Sequence, residues 1–344
     1  MNKYTVRDLA HHAAVSIGTV SRVINGAANV DPDLRERIHG SMRALRYVPR
    51  SRMRPNAGTR TWQIGILFFG PDAIDQNRHA QRAIAALERS CRAAGYTTVI
   101  EVIDRIGQLP RCIEKAQVDG VILATLETDP TTLYAVSARV PCVSINAYVP
   151  GLPMPQVCID DAAWGRLATE EVLARGHQRI AFVNHAPGHR AFTHRRRAIE
   201  DRLAESPGGT PLIAIELPIV TTEHPFHLAP PDLGPIADRL LDANPRPTAA
   251  IVANDWGAYG LYRALRSRGV EPGRDISVVG FDNLTESALL LDPPLASVDA
   301  AATDITDTAT DLVIDAIDGG PRRAHTILVP GQFHARPSLI PMTR

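Results

Sequence analysis

The chain has 344 residues with 37 Lys and Arg against 37 Asp and Glu, 44% hydrophobic and 22% charged. That is the make-up of a folded protein with room for two or three domains, and it excludes a disordered or fibrous chain. The zero net charge is unevenly spread: residues 1 to 60 carry 11 Lys and Arg against 4 Asp and Glu, a net of +7, and the remainder carries 26 against 33, a net of −7. A basic head on an acidic body implies a polyanionic partner for the head alone. The opening MNKYTVRDLAHH has no apolar run, and no later apolar run reaches the roughly 18 residues of a membrane span, so a cytoplasmic protein is expected. Cys91, Cys112, Cys142 and Cys158 are widely spaced, without a metal-ligand pattern, and read as reduced core residues.

From the N-terminus, Thr5 is an N-cap and Asp8, three residues on, returns a bond to the cap backbone; Val6, Leu9, Ala10 and Ala13 then share one helical face. A second start at Ser16 places Val20, Val23 and Ile24 on the buried stripe of a helix that Asn25-Gly26 ends. With Val20 inward, Gly18, Ser21, Arg22 and Asn25 face outward and Ile17 is exposed in the first turn. This helix, turn and helix suit a DNA groove. Arg22 can make a bidentate contact to a guanine edge, Ser16, Thr19 and Ser21 can hold phosphates, and Ile17 can touch a thymine methyl. Asp31-Pro32 opens a third helix whose inner face is Leu34, Ile38, Ser41 or Met42, and Leu45. Residues 50–60, RSRMRPNAGTR, read as a basic linker lying against DNA.

The stretch from Thr5 to Pro49 resembles the DNA-binding headpiece of the lactose-repressor (LacI/GalR) family of bacterial transcription regulators. The resemblance rests on VS-x-x-TVSRV-x-N at Val15 to Asn25 and YVP at Tyr47 to Pro49. It implies that Ile17, Gly18 and Arg22 read bases, with Thr5, Asn25 and Tyr47 in the DNA-facing set. Two departures stand out: Ala14 where the family has a turn glycine, and Arg46 where a glycine precedes the tyrosine. A left-handed Ala14 would cost roughly 1–2 kcal/mol. In the family a hinge helix after YVP wedges a leucine into the minor groove. The position falls here on Asn56 after Pro55, so any hinge helix ends by Arg54. Arg50, Arg52 and Arg54 then hold phosphates or a narrow groove, Met53 is the one apolar wedge, and a weaker bend is expected.

From Trp62 the pattern alternates. WQIGILFF, TTVIEVI, VDGVILAT, PCVSIN, RIAFVN, PLIAIELP, TAAIVAN and ISVVGF read as strands. Helices are expected to end near Gly95 and to run over Ala162–Ala174, around Phe192–Ala204 and over Asp255–Arg268. Regular alternation argues parallel sheets covered on both faces, in two subdomains. The same family resemblance extends over VDGVILA, ARGHQRIAFV, AIVANDWGAYGLYRAL, DISVVGFDN, PPLASV and ARPS. It implies an all-α helix-turn-helix headpiece joined to an α/β body like a periplasmic sugar-binding protein, of two Rossmann-like subdomains that exchange the chain near 160, 291 and 323. The expected division is a headpiece at 1–49, a linker at 50–60, one subdomain at 61–160 plus 291–322 and the other at 161–290 plus 323–340.

Ligands in such sheets bind at the C-terminal ends of strands, in the crevice between lobes. The residues there are Asn146, Asn254, Asp255 and Asp282. Arg195 heads RRRAIEDRL where the family has R-x-x-G-[FW], with Arg197 as the alternative register because the glycine and aromatic are replaced by Ala198 and Ile199. Amides and carboxylates with one arginine suit vicinal hydroxyls or an anion. Ala300 stands where the family's glutamine is common, so the identity of a sugar does not transfer.

Enzyme readings lack a constellation: the glycines of GVILAT and GILFFG do not fit GxGxxG, and GxSxG, P-loop and HExxH patterns are missing. The adjacent His11 and His12 point to different helix faces, so neither a metal nor a cofactor is expected. The reading is a sequence-specific DNA-binding regulator, a repressor by resemblance. It dimerises through its body, with a tetramer left open, and a small molecule, expected to be a sugar or sugar derivative, controls operator affinity. The other reading is a small-molecule binding protein without regulatory DNA contacts, against which the +7 head argues.

Overall fold

The structure, a computed structural model, describes residues 4–24, 30–45, 60–69, 78–103, 109–125, 130–146, 148–206, 211–217, 231–284, 288–300, 302–320 and 323–342. The first three helices are α1 (Val6–His12), α2 (Ile17–Ile24) and α3 (Pro32–Leu45). The capping box that opens α1 is present, with Asp8 accepting from the Thr5 backbone at 2.6 Å. The helix closes with Ala14 at φ +50°: the Ala14 N–H reaches the His11 carbonyl at 3.1 Å and the Val15 N–H the Ala10 carbonyl at 3.0 Å. Those are the two bonds of a Schellman ending, with a methyl group where glycine is normal. Asp31 opens α3 by accepting from the Asp33 and Leu34 N–H groups. Leu9, Ala10, Ala13, Val20, Val23, Val30, Ile38 and Met42 are buried, the apolar spacing having brought one stripe of each helix inward.

The body holds two six-stranded sheets. In the first, β1 (Gln63–Phe69), β2 (Thr97–Ile103), β3 (Gly120–Thr125), β4 (Cys142–Asn146), β5 (Gln156–Ile159) and β11 (Thr326–Val329) lie in the order β11-β5-β4-β3-β1-β2. Its helices are α4 (Arg78–Ala93), α5 (Arg111–Glu114), α6 (Pro130–Ser137) and α11 (Ala302–Ile317). In the second, β6 (Ile180–Asn184), β7 (Ile213–Glu216), β8 (Ala249–Val252), β9 (Ser277–Phe281), β10 (Ala296–Asp299) and β12 (Gln332–His334) lie in the order β12-β10-β9-β8-β6-β7, with α7 (Asp161–Ala174), α8 (Arg190–Ala204), α9 (Gly234–Asp242) and α10 (Asp255–Arg266). In this second sheet neighbours pair in parallel except β10 with β12. Every residue of β6, β8 and β9 is buried, as expected of strands covered on both faces. The four cysteines are buried thiols, not joined in disulfides. Among the described residues no helix is long and apolar enough to cross a membrane.

The chain packs into two compact units. It leaves the first after Cys158, returns at Ala302 and leaves again after Val329. The sequence placed three crossings, the first near 160. The other two come later than 291 and 323, because β10 pairs with β9 in the second sheet and β11 closes the edge of the first. The headpiece is grouped with the first unit, since α2 lies against α6.

Candidate functional site

In the second unit the C-terminal ends of β8 and β9 converge with the start of α7 on one guanidinium. Arg195 is 3% exposed and has three partners: its Nε donates to Asp161 Oδ1 at 2.9 Å, Nη1 to the Ala253 carbonyl at 2.8 Å and Nη2 to Asp282 Oδ1 at 3.4 Å. Its carbon lies 4.7 Å from the ring centre of Phe281, 5.0 Å from Trp164 and 5.7 Å from Phe192. Planar faces and two carboxylates hold the arginine as a fixed fork. Burial raises the Asp161 carboxyl above its ordinary value, against the opposing pull of Arg195.

The backbone contributes to this geometry. An added Cβ at Gly165 would stand 2.5 Å from the Arg195 carbonyl, so this glycine is what lets α7 and α8 approach. Asp282 follows β9 at φ +96°, a strained value for a residue with a side chain. Asn254 caps α10: its Oδ1 accepts from the Gly257 N–H at 2.7 Å, while its Nδ2 is buried without an acceptor among the described residues. A buried donor left open in this way is costly unless something supplies the acceptor.

Asp255 corrects the expectation drawn from the sequence. It is fully buried, with Oδ1 accepting from the Ser297 hydroxyl at 2.8 Å and Oδ2 from the Leu284 N–H at 2.9 Å. Gly280 leaves room for the carboxylate, which a Cβ there would strike. With both oxygens engaged inside the unit, Asp255 is an internal strut. Of the two arginine registers, Arg195 is buried in the cluster and Arg197 is exposed. Asn146 is carried by the first unit, half-buried at the end of β4 with φ +75°.

On the headpiece the exposed face of α2 carries Ile17, 48% exposed, with Gly18 and Arg22 also exposed and Thr19 and Ser21 half-buried. Ser16 caps the helix, accepting from the Thr19 N–H at 3.0 Å and meeting the Thr19 hydroxyl at 2.8 Å. Arg22 leans back toward the Thr19 hydroxyl at 3.5 Å. Among the described residues an added Cβ at Gly18 would meet the Ser16 hydroxyl alone, at 3.7 Å. Asn25, Tyr47, Arg52, Met53 and Arg54, with Arg50 and Asn56, lie outside the described residues.

Comparison with known proteins follows the same division. Residues 5–50 match the model of bacterial regulatory proteins of the lacI family, and residues 169–339 that of the periplasmic binding protein-like domain. The HTH-type transcriptional regulator DegA of Bacillus subtilis is 30% identical over 305 residues, covering 86% of each chain. The chain belongs to the lacI family of bacterial regulatory proteins. It is thus a DNA-binding regulator, with a helix-turn-helix headpiece and a two-lobed body like a periplasmic binding protein. The ribose operon repressor of Halalkalibacterium halodurans is 27% identical over 96% of each chain. Among solved structures, the lac repressor dimer bound to operator and the anti-inducer ONPF superposes with a TM-score of 0.64 at 25% identity, covering 98% of this chain and 99% of that one.

For this lacI-family chain, reading by sequence missed several members of the buried cluster. Asp161 sits in an Asp-Asp pair at a helix head, which carries only the signal of a cap. Trp164, Phe192 and Phe281 fall on apolar stripes and read as core. Ser297, Asn283 and Arg336 lay in the PPLASV, DISVVGFDN and ARPS stretches without a role.

Proposed function

We propose that this regulator is a repressor whose operator affinity is set by a neutral carbohydrate held at Arg195, Asp282 and Asn254, and that it works as a homodimer in the cytoplasm. The observation that carries this reading is the buried arginine with its two carboxylates. Asp161 and Asp282 together outweigh the single positive charge of Arg195, so the cluster repels a phosphate or carboxylate and favours hydroxyls. The Nδ2 of Asn254 adds a donor in want of an acceptor, which a sugar hydroxyl or ring oxygen supplies. The names of the ribose operon repressor and of the lac repressor dimer agree with a sugar effector and with two headpieces. A two-fold pair of headpieces reads a palindrome.

In the test, operators are selected from a randomised DNA library and the purified protein is melted against a panel of neutral sugars, sugar phosphates and nucleosides. The expected result is a palindromic operator and at least one neutral sugar that both raises the melting temperature and shifts operator affinity. Asp282→Asn removes both effects of that sugar, and Arg22→Ala costs about 1–3 kcal/mol of operator binding while relaxing the preference at one position per half-site. A panel in which only phosphorylated or other anionic ligands act would reject the neutral-carbohydrate reading. A loss in Arg22→Ala that is uniform across the library would reject base reading by that residue.

A further inference from the structure

The turn after β9 holds two consecutive left-handed residues, Asp282 at φ +96° and Asn283 at φ +47°, in a place without a glycine. Such a pair does not persist unless its surroundings over-determine it. Each backbone N–H of the turn has a fixed acceptor: Asp282 donates to the Val298 carbonyl at 2.7 Å, Asn283 to the Ser297 hydroxyl at 3.1 Å, and Leu284 to Asp255 Oδ2 at 2.9 Å. The Ser297 hydroxyl in turn donates a hydrogen bond to Asp255 Oδ1 at 2.8 Å, so one buried carboxylate ends both of the last two links. From the C-terminal segment Arg336 donates to Asn283 Oδ1 and to the Leu295 carbonyl, both at 2.6 Å, and Asn283 Nδ2 reaches Asp299 Oδ2 at 3.5 Å.

We propose that Asp255, Ser297 and Arg336 are positioning residues, a bracket that forces Asp282 and Asn283 into the left-handed pair and so presents the Asp282 carboxylate to Arg195. The functional value of the bracket rests on the effector reading given above; its existence does not. The bracket explains why a buried carboxylate, a buried hydroxyl and a half-buried guanidinium are gathered behind a turn whose product is one buried carboxylate facing one arginine. It also sets what each member can be replaced by. Asparagine at 255 keeps one acceptor and loses the other, lysine at 336 keeps the charge and loses the fork, and glycine at 283 adopts the same φ with nothing to hold it.

The experiment is hydrogen–deuterium exchange on the full-length protein without ligand, followed at the amides of 282, 283 and 284. Ser297→Ala deletes the acceptor of the Asn283 N–H, so faster exchange there is trivial. The informative amide is that of Asp282, whose acceptor at Val298 is untouched. A bracket predicts that Ser297→Ala raises exchange at Asp282 by about tenfold, and that adding Asn283→Gly brings it back to within about threefold of wild type, because half of the strained pair no longer needs holding. Exchange at Asp282 that stays within about threefold of wild type in Ser297→Ala, or that is no lower in the double variant, overturns the proposal. Should Ser297→Ala exchange faster throughout β8 and β9 as well, Arg336→Gln with and without Asn283→Gly decides by the same comparison. The sugar panel, melted against the same variants, separates the two readings: a wild type that answers to no sugar removes the effector assignment and leaves the exchange result to judge the bracket.

Discussion

At Ala14 a methyl group occupies a position that the geometry of a Schellman ending reserves for glycine, with φ at +50°. The headpiece core absorbs the strain through Leu9, Val20 and Ile38, each fully buried, and through Arg37, which donates to the Ala14 carbonyl at 3.4 Å. Ala14→Gly is therefore expected to stabilise the headpiece by up to about 1 kcal/mol, the relieved strain less the added chain entropy of glycine. Native-state hydrogen exchange at the Leu9 and Val20 amides checks this: slower exchange by up to about fivefold is expected, and unchanged or faster exchange means that the turn stores no strain. The same residue scale separates Asp255 from Asp282. Both are carboxylates at the end of a buried strand, yet one has both oxygens bonded inside the unit and the other reaches the Arg195 guanidinium at 3.4 Å.

Between elements, the contact of α7 with α8 decides where Arg195 stands. Gly165→Ala places a carbon 2.5 Å from the Arg195 carbonyl, against backbone that cannot rotate away, so the helices must separate. A loss of about 1–3 kcal/mol is expected from overpacking of this kind, read as a lower urea midpoint with an unchanged slope. An unchanged midpoint would mean that the helices part without cost. How far such elements were legible in the sequence depended on whether their cause is local. Strands such as Ile64–Phe68 and Ser277–Phe281 announce themselves as apolar runs, and the caps of α1 and α3 by a single residue each. The sheet to which a strand belongs is not local information: ASVD at 296–299 is the same string beside β9 as it would be in the first sheet, and so the later crossings were placed too early. Asp255 was misread for the same reason, since its partner Ser297 lies 42 residues away.

For the molecule as a whole, the buried carboxyl of Asp255 links stability to pH in a direction opposite to the exposed ion pairs. Burial holds this carboxyl well above the ordinary carboxylate range, with the nearby Asp282 adding to the rise. The folded state thus takes up the proton more readily than the unfolded state. The stability gained is complete below the ordinary carboxylate pKa and is lost as pH rises through the raised value. Asp8, Glu205, Asp238 and Asp275 are shifted down by their hydrogen-bond partners and act with the other sign, so a variant must serve as reference. Unfolding free energies of wild type and Asp255→Asn, compared from about pH 4 upward, are expected to differ by an amount that falls as pH rises, with a slope of up to about 1.4 kcal/mol per pH unit. A difference constant with pH would mean that Asp255 ionises normally. The three bonds of Arg195 carry a kinetic consequence on the same scale. Its partners lie 34, 58 and 87 residues away, so the guanidinium reaches its fork only after α7, β8 and β9 are in place. A partly folded chain has no such fork for the proposed effector to grip. An effector at this site therefore leaves the refolding rate alone and lengthens the lifetime of the finished molecule, acting on departure from the native state and not on arrival.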